Sequence, residues 1–211
     1  YAALCKLISA GRLRNPKGIS TVSVKELCNH AAGNIVLLLP ERAAASGSMQ
    51  LSRAKELKTA FGTALFVALS RHKQGEDADA DRQQRRVAEA VDAPLVAACE
   101  VLYHSRNRRK LQDVLTCIRH RVRLHEAGTL LKPNAEYALH SPVEISELFA
   151  DVPEAVENSQ RVAKRCSFSL SQLHYRYPSR SLPAGYSTAQ WLSELTYSGA
   201  RKRFGPHVPE E

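Results

Sequence analysis

Three side chains with metal-binding chemistry fall just past two apolar runs. His72 follows Ala64 to Leu69, and Glu100 and His104 follow Leu95 to Cys99. Apolar residues without alternation are the pattern of strands buried on both faces. If the two strands run parallel, both groups fall on one edge of a sheet, the edge where α/β folds place their chemistry. One carboxylate and two imidazoles there could share a divalent cation, or could make a merely polar strand end. A second group is cationic. Arg106, Arg108, Arg109 and Lys110 open a segment whose far end carries Arg119, Arg121 and Arg123. Between them Leu111, Val114, Leu115, Ile118 and Val122 recur at helical spacing, which predicts a helix that packs on one face and carries charge suited to phosphate at its ends.

Other constellations lead elsewhere. The run Glu76-Asp77-Ala78-Asp79-Ala80-Asp81 resembles a metal loop, but counting from Asp77 the positions where an EF-hand needs Gly and Glu hold Arg82 and Ala88. The acids fit a helix N-terminus better, where the macrodipole favours them. Tyr175, Tyr177, Tyr186 and Trp191 near Arg176 and Arg180 could stack on bases, or could pin a linker to a neighbour. The sequence contains no phosphate-binding G-x-x-x-x-G-K, no G-x-S-x-G and no H-E-x-x-H, and no catalytic residue is assigned.

The elements that must hold these groups follow a β/α order. Tyr1 to Ser9 reads as a helix ended by Gly11, and Ser23 with Glu26 forms a capping-box spacing that starts another over Val24 to Ala32. Asn34 to Leu39 is a strand, Leu51 to Phe61 a helix, Ala64 to Leu69 a strand, Asp77 to Val91 a helix, and Leu95 to Cys99 a strand. That alternation predicts a mainly parallel sheet with helices outside, or a piece of a barrel. After Arg123 the composition shifts to an ordered loop, then to helices from Ser141-Pro142 and from Pro153. Tyr175 to Ser187 is the best linker, and Thr188 to Phe204 a last amphipathic helix. The expected domains are 1–123, 124–174, 175–187 and 188–211.

Composition bounds the classes. The 211 residues are 44% hydrophobic and 24% charged, an ordinary globular balance, and the net charge of +9 makes nucleic acid the leading partner class. Five scattered cysteines, none in a C-x-x-C pair, suit reduced thiols in the cytoplasm. The longest apolar run, Ile35 to Leu39, is far too short to cross a bilayer, so no membrane association is expected. The chain opens at Tyr1 inside a helix and closes just after another, as a piece of something longer would. Three strands are too few to close a barrel, and exposed apolar edges predict poor solubility in isolation.

Three stretches, PLVAACEVLYHSRNRRKLQDVLTCIRH, KPNAEYALHSPVEISELFADVPEAVENSQRVAKRCSFSLSQLHYRYP and LPAGYSTAQWLSELTYSGARKRF, occur in that order. Together with LCKLISAGRLRNPKG they resemble the bacterial C-family DNA polymerases, the polymerase III alpha subunit and especially its error-prone relative. The resemblance implies an α/β fold, the second part of a distorted β/α barrel of the polymerase-and-histidinol-phosphatase (PHP) type, followed by an α-helical connector toward thumb and palm. It implies a parent that adds deoxynucleotides to a DNA primer in damage-tolerant synthesis, with palm aspartates and Mg2+ outside this chain. DNA primer-template, deoxynucleoside triphosphates and a sliding clamp or mutasome proteins are the implied partners. The family's barrel binds ions such as Zn2+ or Mn2+, and its last metal-binding strand ends in Asp-Val-His-x-His. The corresponding residues here are Glu100-Val101-Leu102-Tyr103-His104. Glu100 replaces the Asp and His104 matches the second His, but Leu102 cannot ligate, so a degenerate site is expected. A replicative alpha subunit, a metal-dependent phosphoesterase of the same barrel type and a non-catalytic interaction module are the alternatives.

Overall fold

The computed structural model describes residues 1–40, 47–173 and 182–206, with the side chains at 47 and 48 left aside. The predicted stacking residues Tyr175, Arg176, Tyr177 and Arg180 lie outside the described residues. The chain divides into two compact units, Tyr1–Phe168 and Ser169–Glu211.

The first unit is α/β. Helix α1 (Ala2–Leu13) and helix α2 (Val24–Asn29) precede a repeat of strand β1 (Val36–Leu38), helix α3 (Gly47–Phe61), strand β2 (Leu65–Leu69), helix α4 (Asp77–Ala90) and strand β3 (Leu95–Ala97). The strands pair in the order β1-β2-β3, all parallel, with Val36 opposite Leu65 and Val67 opposite Leu95. Parallel order follows from the helical crossovers, which return the chain to the same end of the sheet each time. Every residue of β2 is buried. Leu65 and Val67 pack with Leu57, Phe61 and Val87 of the flanking helices, and Phe66 and Ala68 pack on the opposite face. A strand covered on both faces has no reason to alternate, which is why its sequence reads as a continuous apolar run.

Helix α1 continues through Gly11 instead of stopping there. A Cβ on Gly11 would lie 2.8 Å from Ser20 Oγ and 2.9 Å from Val22 Cγ1, so the glycine lets the returning chain approach the helix. The predicted capping box is present at α2, where Glu26 N–H donates to Ser23 Oγ at 3.2 Å and Ser23 N–H to the Glu26 carboxylate at 2.8 Å. Gly62, with φ of +54°, turns the chain from α3 toward β2 in a conformation that L side chains rarely adopt.

Beyond β3 come helix α5 (Arg109–His120), helix α6 (Pro142–Leu148) and helix α7 (Pro153–Arg165). Helix α6 starts on the predicted Ser141–Glu144 box with Pro at its first position. Helix α7 packs beside β3. Pro94 O and Ala98 N are bonded to β2, so Leu95 O faces outward, and Asn158 Nδ2 of α7 donates to it at 2.8 Å. The helix thereby covers one edge of the sheet. The second unit holds helix α8 (Thr188–Phe204), capped by Ser187 and Gln190, with Tyr186 meeting Trp191 edge to face at 5.3 Å.

Candidate functional site

The carboxyl ends of β2 and β3 do meet, and what they assemble is a polar lock. His72, 1% exposed, lies flat on Tyr137 with ring centroids 4.1 Å apart. Its Nε2 sits between the backbone of Glu100, 3.2 Å from the N–H and 3.3 Å from the carbonyl, accepting from one when unprotonated or donating to the other as N–H. Asn134 Nδ2 donates to His72 O at 2.6 Å, and Gln74 Nε2 to the Tyr137 hydroxyl at 2.6 Å. Asp77, the first residue of α4, accepts from the backbone N–H groups of His72 and Gln74 at 2.8 and 3.0 Å. The acidic run therefore orders the turn after β2, as its place at a helix N-terminus implies.

Glu100 turns its carboxylate to Lys132, 2.8 Å away, and the Lys132 ammonium stands 4.5 Å from the centre of the Tyr137 ring. The loop Lys132 to Ala138 is thus clamped onto the strand ends, and Tyr103 pairs with Ala138 in an isolated parallel bridge. The donors do not fit a metal ion. The Glu100 charge is matched by an ammonium and His72 Nε2 is held against the Glu100 backbone. Exposed His104 lines a separate groove with Leu102 and Leu115. Cys99 donates its thiol to Arg71 O at 3.4 Å, and burial pushes that thiol up. No cluster of three His, Cys, Asp or Glu suited to a metal occurs among the described residues. The structure joins His72 to the Glu100 backbone and leaves His104 apart.

Behind the lock lies a charge network that the sequence did not reveal. Arg71, the second residue after β2, donates through Nε to Asp81 of α4 at 2.9 Å. Its Nη1 donates to Leu148 O and to Asp151 at 2.6 Å each, and its guanidinium lies over Phe149 at 4.8 Å. Arg85 adds a 2.7 Å bond to Asp151. One arginine therefore ties the sheet end, α4 and the α6–α7 corner together. Its hydrogen bonds hold the Asp151 carboxyl down at about 2, and the two carboxylates raise the arginine further. Gln84 performs a neutral version of the same task. It is 1% exposed, donates to Leu38 O and Ala68 O at 2.9 Å each, and accepts from Gln50 at 2.8 Å.

The basic cluster separates into two pairs. Arg106 bridges Glu136 and Glu144 at 3.1 Å each, and its hydrogen bonds hold Glu136 at about 2. Arg109 donates to Lys132 O at 2.8 Å and lies 3.6 Å from Asp113. Arg108 and Lys110 are exposed and carry no ion pair among the described residues. The side chain order in the sequence is uniform here, so only the fold sorts structural from available charge. The one signal for the lock itself was the loop KPNAEYALH, whose Lys, Asn and Tyr all enter it.

No family model matches the chain. It is similar along its whole length to curated bacterial proteins, at 37% identity to error-prone DNA polymerase 1 of Agrobacterium fabrum and at 35% to the error-prone DNA polymerase of Rhodopseudomonas palustris. A 35% match to the error-prone DNA polymerase of Pseudomonas savastanoi pv. phaseolicola covers 97% of the chain. The chain spans about a fifth of the length of these relatives, 19 to 20%. Identity held at this level from end to end, across relatives that carry one name, makes the chain a homologue of one segment of the error-prone DNA polymerases.

Proposed function

We propose that this chain serves as a scaffold segment of an error-prone, DNA-directed DNA polymerase of the C family. The parent adds deoxynucleotides to a DNA primer, with palm aspartates and Mg2+ outside this segment. The observation that carries the reading is the full-length match to relatives named for that activity. On this reading the three-stranded sheet is the second part of a PHP-type barrel, and residues 124–174 are the helical connector. Residues 175–187 link to the start of the next helical region, and the parent is cytoplasmic. The barrel's metal site is degenerate. Where the family would hold Zn2+ or Mn2+, the Glu100–Lys132 pair and the buried His72–Tyr137 stack supply a fixed polar joint instead.

Of the four predicted DNA contacts, Arg108 and Lys110 are the ones free to meet phosphate, while Arg106 and Arg109 brace the loop that presents them. DNA primer-template and deoxynucleoside triphosphates are the proposed substrates, and a sliding clamp or mutasome protein the proposed partner. Primer extension by the polypeptide that carries this chain tests the reading. Extension on a primed template, retained in His72→Gln, is expected; a polypeptide that folds but adds no nucleotide would overturn it. Lys110→Ala should weaken DNA binding roughly uniformly across sequences and reduce the salt slope by about 1.

A further inference from the structure

The helix expected to bury its apolar stripe does the reverse. On α5 the residues turned inward are Cys117, buried, with Arg109, Asp113 and Thr116 partly covered. The stripe itself is open: Leu111 is 51%, Val114 47%, Leu115 51% and Ile118 67% exposed. These four span about 10 Å along one side of the helix, at 1.5 Å per residue. Beside them runs a groove of about 390 Å³, walled by Leu102, His104, Arg108 and Gln112 in addition to Leu111 and Leu115. A strip of branched side chains left to water in a soluble fold marks a contact surface.

Its border has one sign. By the 100° step of a helix, Arg119 follows one margin of the stripe; Arg121 stands just past its carboxyl end in the left-handed cap, and Arg108 and Lys110, the proposed phosphate contacts, stand at its amino end. The one acid of the helix, Asp113, lies on the opposite face beside Arg109 at 3.6 Å. None of the four marginal cations has an ion pair among the described residues. Two copies meeting face to face would oppose cation to cation, and a duplex would leave the aliphatic strip unused. The complement is a helix with apolar residues at i, i+3, i+4 and i+7, flanked by Asp or Glu.

We propose that this face of α5 is an intramolecular docking surface, filled by an acidic amphipathic helix from another segment of the same polymerase polypeptide. The proposal rests on the reading of the chain as part of a longer polymerase. Relatives about five times as long as the match have the remaining chain tethered to this face at an effective concentration that a free partner would not reach.

The test uses the whole polypeptide with a photoreactive benzophenone amino acid in place of Ile118, irradiated alone, with primed DNA, and with anionic phosphatidylserine vesicles. Expected is one intramolecular cross-link, mapped by mass spectrometry to a segment bearing Asp or Glu beside apolar residues, and reduced about threefold by Arg119→Glu. Cross-links to a second copy, to DNA or to lipid, or no cross-link at all, would overturn the proposal. Primer extension on the same preparation separates the two readings. Extension without the cross-link sinks the docking surface alone, and the cross-link without extension sinks the polymerase reading alone.

Discussion

Arg71 concentrates more of the fold in one side chain than any residue singled out by type or spacing. Its partner Asp81 is 12% exposed at the side chain, so Arg71→Met leaves a carboxylate buried without its cation. That substitution should cost about 3 kcal/mol, read as a lowered urea midpoint. Truncating Arg82, whose pair with Asp79 is exposed on both sides, should change stability by less than about 0.5 kcal/mol. The acids give a pH signature with a definite sign. Asp151 and Glu136 are held at about 2 in the folded chain, below the ~4 of an unfolded carboxyl. A depressed pKa means that their stabilisation is full above about pH 4 and fades as pH falls toward 2. Arg71→Met should flatten the Asp151 share of that decline and leave the Glu136 share, which depends on Arg106. Sequence could not have shown any of this. Arg71 and Asp151 are 80 residues apart, and one arginine among the chain's 30 basic residues carries no local mark. His72 was legible as a strand-end residue, but its stack on Tyr137 was not, because the loop that brings Tyr137 back has no period of its own.

Elements with a strong local signal emerged where their residues put them. Helices α6, α7 and α8 begin on Ser or Pro starts that the sequence displays, and the three strands lie inside the three apolar runs. Helix α5 shows what periodicity leaves out. The stripe Leu111 to Ile118 predicts a helix correctly, yet an apolar face states only that something covers it, and the sheet is already covered by α3, α4 and α7. Helix α7 closes the edge of β3. Asn158→Leu should therefore leave Leu95 O unpaired and cost about 1–3 kcal/mol. Phe149, fully buried at the α6–α7 corner against Leu69, should cost about 3–5 kcal/mol when cut to Ala. Both changes are measurable by denaturant titration of the polypeptide.

At the scale of the molecule, the first unit brings polar groups to one edge of a parallel sheet and packs a loop over them. A parallel sheet delivers His72 and Glu100 to one edge, as α/β sheets do with catalytic groups, and the loop from Lys132 to Ala138 then closes over that edge with an ammonium, an amide and a ring. The described residues contain no helix long and apolar enough to cross a membrane. The claim on which the account turns is that this edge is a structural joint in a polymerase segment. Metal content of the purified polypeptide, by plasma mass spectrometry after dialysis against metal-free buffer, tests it most directly, with natural Glu100 compared with Glu100→Gln. No tightly held Zn2+ or Mn2+ is expected in either protein. A stoichiometric ion in the natural protein that disappears with Glu100→Gln would contradict it, because Glu100 would then be a ligand and not the partner of Lys132.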